Sequence, residues 1–166
     1  AFSVSADGMV AYRSGGVGQR QLVWFDRSGK TLGILGEPDA NGLAAPRLSP
    51  DGRRAAVHRQ GNGDIWLLDA ARTTRFTFDA NLDRFANWSP DGSRIVFESN
   101  RKGHRDLYVK PANGAGSEEL LLESAQDKIA SDWSRDGRFL AYHSINPENG
   151  RDLWVLPMEG DRKPFV

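Results

Sequence analysis

Ser89-Pro90-Asp91-Gly92-Ser93-Arg94-Ile95-Val96-Phe97 joins a tight-turn tetrapeptide to an apolar run, and the same pattern occurs three more times in the chain. Its counterparts are Ser5-Ala6-Asp7-Gly8 before Met9-Val10-Ala11-Tyr12, Ser49-Pro50-Asp51-Gly52 before Ala55-Ala56-Val57-His58, and Ser134-Arg135-Asp136-Gly137 before Phe139-Leu140-Ala141-Tyr142. Asp-Gly between apolar runs marks a hairpin, because glycine takes a positive φ without a side-chain clash and a preceding proline pre-sets the turn. Glycines at 8, 52, 92 and 137 give repeats of 44, 40 and 45 residues. That is the period of a propeller blade and is longer than most helical solenoid repeats.

Each repeat continues into a third strand: Gln21-Leu22-Val23-Trp24-Phe25, Asp64-Ile65-Trp66-Leu67-Leu68, Asp106-Leu107-Tyr108-Val109 and Asp152-Leu153-Trp154-Val155. A weaker fourth strand follows at Thr31–Leu35, Thr74–Phe78, Glu119–Leu122 and Arg162–Val166. Glu118 to Gln126 is rich in helix formers, but its apolar residues lack helical spacing and it falls where the repeat requires a strand. The predicted fold is an all-β propeller of four-stranded antiparallel blades, at residues 1–37, 38–80, 81–124 and 125–166 of a single segment spanning 1–166. Four blades either close a ring or belong with further blades outside this sequence, since an open arc exposes apolar faces. The absence of an initiating Met and the abrupt strand-like ends read as a piece of a longer protein.

Charge narrows the function. Lys plus Arg and Asp plus Glu each total 22 of 166 residues, so no overall field draws the chain to nucleic acid or an anionic membrane. Without cysteine, disulfides, thiol catalysis and thiolate zinc sites are excluded. No apolar run reaches the length of a spanning helix, which predicts no direct membrane insertion.

The run Trp88-Ser89-Pro90-Asp91-Gly92-Ser93-Arg94-Ile95-Val96-Phe97-Glu98-Ser99-Asn100-Arg101, followed by Asp106-Leu107-Tyr108-Val109, closely resembles the repeat of TolB-like propellers, and the resemblance covers essentially the whole chain. The Trp-Asp pairs of WD-type repeats are missing. The resemblance implies a bacterial, periplasmic or otherwise extracytoplasmic scaffold that binds a protein partner. It also implies a six-bladed or larger propeller, completed by remaining blades or by self-association. Similar repeats are attached to bacterial Ser/Thr kinases and to prolyl-oligopeptidase-like and tricorn-like peptidases, so an accessory or gating propeller of a larger enzyme is the alternative.

The residues themselves point away from catalysis. One Asp-Gly aspartate per blade, each at a turn tip, is the placement of a backbone cap rather than a metal or acid–base site. Asp64, Asp106 and Asp152 repeat likewise, with Gln21 in their place in the first blade. His58 and His143 fall in second strands and His104 in a loop, without zinc-protease spacing. No Gly-x-Ser-x-Gly elbow is present, and Gly15-Gly16-Val17-Gly18 reads as a hairpin loop. Trp24, Trp66, Tyr108 and Trp154 read as equivalent core positions, and Trp88 and Trp133 as packing between blades. No enzyme activity, cofactor or metal is expected of this chain. The loops between second and third strands vary most, and variable loops on a fixed scaffold carry recognition. Arg101, Lys102, His104 and Arg105, with Arg59 and Arg151 at similar heights, form the candidate partner-binding site, suited to an acidic protein surface.

Overall fold

The computed structural model describes residues 2–4, 10–14, 18–61, 63–148 and 150–166, with side chains from residue 18 onward. The turn at Ser5 to Gly8 and the loop residues Gly15 to Val17 lie outside the described residues. Two compact units divide the chain, residues 1–86 and 87–166. All the regular structure among the described residues is antiparallel strand, fifteen in number.

In the first unit, β1 (Phe2–Val4), β2 (Val10–Ser14), β3 (Arg20–Phe25) and β4 (Thr31–Asp39) form one up-and-down sheet. β5 (Leu43–Leu48), β6 (Ala55–Arg59), β7 (Ile65–Leu68) and β8 (Thr73–Arg75) form the second. The two pack face to face: Leu22 and Leu35 of the first sheet share a core with Leu43, Leu48, Ala55, Val57 and Leu68 of the second. Trp24 and Trp66 close its sides.

A third sheet holds β9 (Asp83–Trp88), β10 (Arg94–Ser99), β11 (Asp106–Pro111) and β12 (Glu119–Leu122). β13 (Asp127–Trp133), β14 (Phe139–Asn146) and β15 (Gly150–Pro157) make a fourth of three strands. Within the second unit, Val96, Leu107, Val109 and Leu121 pack against Trp133, Leu140, Tyr142 and Leu156. β10 is buried from Ile95 to Ser99, so both of its faces are covered. Glu119 to Leu122 is strand and not helix.

Three details differ from the sequence reading. The expected fourth strand at Arg162–Val166 reduces to a single bridge, Phe165 to Val155, because the polar run from Glu159 to Lys163 has no alternating apolar pattern to lay against β15. Trp24 is not equivalent to the other third-strand aromatics. Trp66, Tyr108 and Trp154 stand opposite Val57, Phe97 and Tyr142, whereas Trp24 stands opposite Ala11, one step out of phase. A one-residue step reverses the face of a strand, so Trp24 points to the side that Leu22 occupies. Finally, the first strand of a repeat carries a kink: Ala45 and Phe85, spaced like Gly52 and Gly92, have φ of 46° and 52°, and the β5–β6 register shifts between Ala44 and Arg47.

Candidate partner-binding site

One end of each sheet is fixed by the same turn chemistry. At Ser89, the hydroxyl donates to Asp91 Oδ1 at 2.5 Å and accepts from Arg94 N at 2.9 Å, while Gly92 N donates to Ser89 O at 2.8 Å. Ser49 with Asp51 and Ser134 with Asp136 repeat these bonds. The glycines have φ of 66°, 69° and 72°, the left-handed region that a side chain disfavours. Hydrogen bonds from the neighbouring serines hold Asp91 and Asp136 down to about 2, and Asp51 is lowered by the same cause. These carboxylates cap turns.

The other end carries the β6–β7, β10–β11 and β14–β15 hairpins, and here the repeats diverge. Arg59 Nε donates to Asp39 Oδ2 at 2.7 Å, and its guanidinium lies 3.7 Å from the Trp66 ring centre. Arg101 makes an equivalent construction from a longer hairpin: Nη1 lies 2.7 Å from Glu118 Oε2, Nε donates to Ser99 Oγ at 2.8 Å, and the guanidinium lies 4.2 Å from the Tyr108 ring centre. These two side chains are only 19% and 17% exposed. They are cation–π clamps that cover the aromatic from above.

Lys102, His104 and Arg105 are more open, at 47%, 56% and 40%. Lys102 Nζ donates to Glu123 at 2.7 Å, His104 Nδ1 lies 3.9 Å from Asp127, and Arg105 lies 3.5 Å from Asp127 and 3.9 Å from Glu98. The hydrogen bond to Glu123 raises the Lys102 pKa. Arg151, paired in register with Ile145, is exposed. Arg101, Lys102, His104 and Arg105 therefore share one hairpin of the second unit, Arg151 stands on the next hairpin of that unit, and Arg59 belongs to the first unit. What reads as a basic run along the chain is charge-balanced in space, because Glu118 and Glu123 arrive from either end of β12 and Asp127 from the start of β13.

Below the hairpin lies a residue that sequence reasoning missed. Lys128 is 1% exposed, and its ammonium donates to Asp106 Oδ1 at 2.7 Å, Gln126 O at 2.6 Å and Ser124 O at 3.2 Å. Asp64, the counterpart of Asp106, takes Arg75 at 2.9 Å, whereas Asp152 is exposed. A lysine in the strand of the following sheet gives no local signal of such a partnership.

The histidines do not converge. His58 is buried edge-on against Phe85 at 5.3 Å, and burial, then Arg84, lowers its pKa to about 4. His143 Nδ1 lies 2.7 Å from Ser131 Oγ. Among the described residues no group of three or more His, Asp or Glu is placed to hold a metal ion.

Up-and-down antiparallel sheets, packed face to face with invariant turns at one end and divergent hairpins at the other, define a β-propeller repeat protein. A family model described as the TolB beta propeller domain matches residues 3–160, and the chain belongs to that family. The Tol-Pal system protein TolB of Anaeromyxobacter dehalogenans strain 2CP-1 is 34% identical over 121 residues, covering 71% of this chain and 27% of that protein. Tricorn protease homolog 1 of Streptomyces coelicolor is 30% identical over 101 residues, 58% of this chain and 10% of that protein. The crystal structure of TolB from Acinetobacter baumannii superposes with a TM-score of 0.81 at 22% identity, covering 95% of this chain and 40% of that one. The chain thus spans well under half the length of each of these relatives.

Proposed function

We propose that this chain is a non-enzymatic, protein-binding propeller scaffold that works outside the cytoplasm and meets its partner through the hairpin end of its sheets. The observation that carries this reading is the asymmetry between ends: Ser-x-Asp-Gly turns repeat bond for bond, while the opposite hairpins differ in length, charge and exposure. Lys102, His104, Arg105 and Arg151 are the contact residues. Arg101 serves the same surface by clamping its hairpin onto Tyr108, and Arg59 clamps the corresponding hairpin of the first unit onto Trp66. Because each exposed cation but Arg151 already faces a carboxylate, an acidic partner must exchange with Glu123 and Asp127, which favours specificity over raw affinity.

Photo-crosslinking in the native cell tests this. Probes at Lys102, Arg105 and Arg151 are expected to give a discrete protein adduct outside the cytoplasm, and probes at Ser93 and Arg138, on the turn end, none. Equal labelling from both ends refutes the assignment.

Similarity to a tricorn protease homolog supports a second reading, an accessory propeller of a larger peptidase. A catalytic domain in the same coding sequence selects it. Either reading leaves room for further blades or self-association. Leu153 is 55% exposed, although its counterparts Ile65 and Leu107 are fully buried.

A further inference from the structure

An Asn-Gly or Asp-Gly pair is chemically labile, because glycine lets its own backbone nitrogen swing onto the preceding side-chain carbonyl carbon and close a cyclic imide. Five such pairs have both residues among the described ones: Asn41-Gly42, Asp51-Gly52, Asp91-Gly92, Asn113-Gly114 and Asp136-Gly137. Four are guarded by the same two hydrogen bonds. The glycine nitrogen donates to the carbonyl three residues back: Gly52 to Ser49 at 2.8 Å, Gly92 to Ser89 at 2.8 Å, Gly114 to Pro111 at 3.0 Å and Gly137 to Ser134 at 2.9 Å. The side-chain Oδ1 accepts from the backbone nitrogen two residues on: Asp51 from Arg53 at 3.1 Å, Asp91 from Ser93 at 3.0 Å, Asn113 from Ala115 at 2.9 Å and Asp136 from Arg138 at 3.1 Å. One bond holds the nucleophile and the other its target, so attack requires both to break.

Asn41-Gly42 has neither bond. It lies in the connection from β4 to β5, and Asn41 is exposed. Among the described residues no hydrogen bond reaches its side chain or the Gly42 nitrogen. Ala-Asn-Gly is the local sequence both here and at Asn113, so the contrast between the two is structural. The fold itself requires the glycine: Gly42 has φ of 74°, and a Cβ there would lie 3.0 Å from Gln60 Oε1 and 3.3 Å from Arg20 Nη1. The amide of Asn41 contributes no bond to that fold.

The structure assigns Asn41 as a site of spontaneous covalent modification, deamidating through an imide with Gly42. The Gly42 nitrogen loses its proton to solvent hydroxide and bonds to Asn41 Cγ, the bond from Cγ to the amide nitrogen breaks, and ammonia leaves. Water then opens the imide at either carbonyl, giving aspartate, or isoaspartate with the chain rerouted through the side-chain carbon. The net change converts one amide and one water into a carboxylate and ammonium, with no oxidant or reductant.

The change lands on a tightly connected set of contacts. Asn41 N donates to Asp39 Oδ1 at 2.7 Å, and the Asn41 and Gly42 carbonyls share Gln60 N at 3.1 and 3.2 Å. Asp39 is the carboxylate that holds Arg59 over Trp66. Isoaspartate lengthens the backbone between these anchors by a methylene, and either product sets a second negative charge two residues from Asp39. Deamidation therefore loosens the start of β5 and, through Asp39, the Arg59 clamp. The inference goes beyond the protein-binding reading and stands independently of it.

Ageing the whole chain in mildly alkaline buffer tests it, with tryptic peptide mapping and electron-transfer fragmentation to tell isoaspartate from aspartate. In the native chain Asn41 is expected to deamidate faster than Asn113 by about tenfold or more, a barrier difference of about 1.4 kcal/mol. In concentrated urea, where the guard at Asn113 is gone, the two should react at similar rates. A native Asn41 rate equal to or below that of Asn113 overturns the assignment. So does a difference that persists unchanged in urea, which would belong to the sequence and not to the fold. Hydrogen exchange at Gln60 N should be faster in the aged chain than in the fresh one, while Asn41→Ser, aged likewise, keeps its protection. Unchanged exchange in a deamidated chain refutes the loosening.

Discussion

Replacing Lys128 by Met should be among the most damaging single changes in the second unit. The ammonium is 1% exposed and satisfies one carboxylate and two carbonyls. Asp106 is equally buried, and besides Lys128 it receives, among the described residues, only a long hydrogen bond from Ser124 N, at 3.3 Å. Methionine fills the stem volume, so little cavity forms, but Asp106 is left as a buried, uncompensated charge. Breaking a buried pair in this way costs about 3–5 kcal/mol, against a total of about 5–15 kcal/mol for a domain. With a urea slope of about 2 kcal/mol/M, the midpoint falls by about 1.5–2.5 M. Urea unfolding followed by tryptophan fluorescence measures the shift. The double variant Lys128→Met with Asp106→Leu should recover most of the loss, because the isolated charge is gone and only the two carbonyls lack their donor. A single variant within about 1 kcal/mol of the parent, or a double variant as poor as the single, refutes the reasoning.

Ser89→Ala removes the donor to Asp91 and the acceptor for Arg94 N, and should cost about 1–2 kcal/mol in the same assay. Asp91 titrates at about 2 when folded, below the ordinary aspartate value of 3.8. Its stabilising contribution is therefore present above pH 3.8 and is lost as the pH falls through 2, and in Ser89→Ala an NMR titration should show the pKa moving back up. His58 behaves in the opposite ionic sense over a different window. Folded at about 4 against 6.5 unfolded, it binds a proton more readily in the unfolded chain, so stability declines as pH drops from 6.5 to 4, by at most about 3 kcal/mol. His58→Phe should flatten that stretch of the stability–pH curve, and an unchanged slope rejects the assignment.

Periodic features survive translation from sequence to structure, and pairwise ones do not. Ser-x-Asp-Gly spacing located the turns because all the bonds of that motif lie within six residues. β12 was legible as strand for a similar reason, since Leu120-Leu121-Leu122 has no helical spacing. Trp24 misled because counting aromatics per repeat ignores phase: aligning Gln21 with Asp64 places Val23, not Trp24, opposite Trp66's partner position, and one residue decides the face. Arg101 to Arg105 do sit on the β10–β11 hairpin, but the carboxylates of Glu118, Glu123 and Asp127 that face them come from residues 17 to 23 positions later. Lys128 is the extreme case, for a buried lysine is defined only by the strand stacked upon it.

Why the repeat tolerates such different solutions at one place follows from what the place must do. Every third strand opens with a carboxylate or amide whose backbone starts the return from the hairpin, and a buried aspartate there needs a cation. Arg75 reaches Asp64 from the outer strand of its own sheet, and Lys128 reaches Asp106 from the next sheet. The second arrangement ties neighbouring sheets together, so a change at the β10–β11 hairpin acts on β13 as well. Arg105 shows the same linkage, its N–H donating to Asp127 Oδ1 at 2.9 Å while its carbonyl accepts from Lys128 N at 2.8 Å. A partner that pulls Lys102 or Arg105 away from Glu123 and Asp127 therefore loosens the start of β13, and hydrogen exchange at Lys128 N should accelerate on binding. Protection there that is unchanged or higher in the complex argues that the hairpin is not the contact.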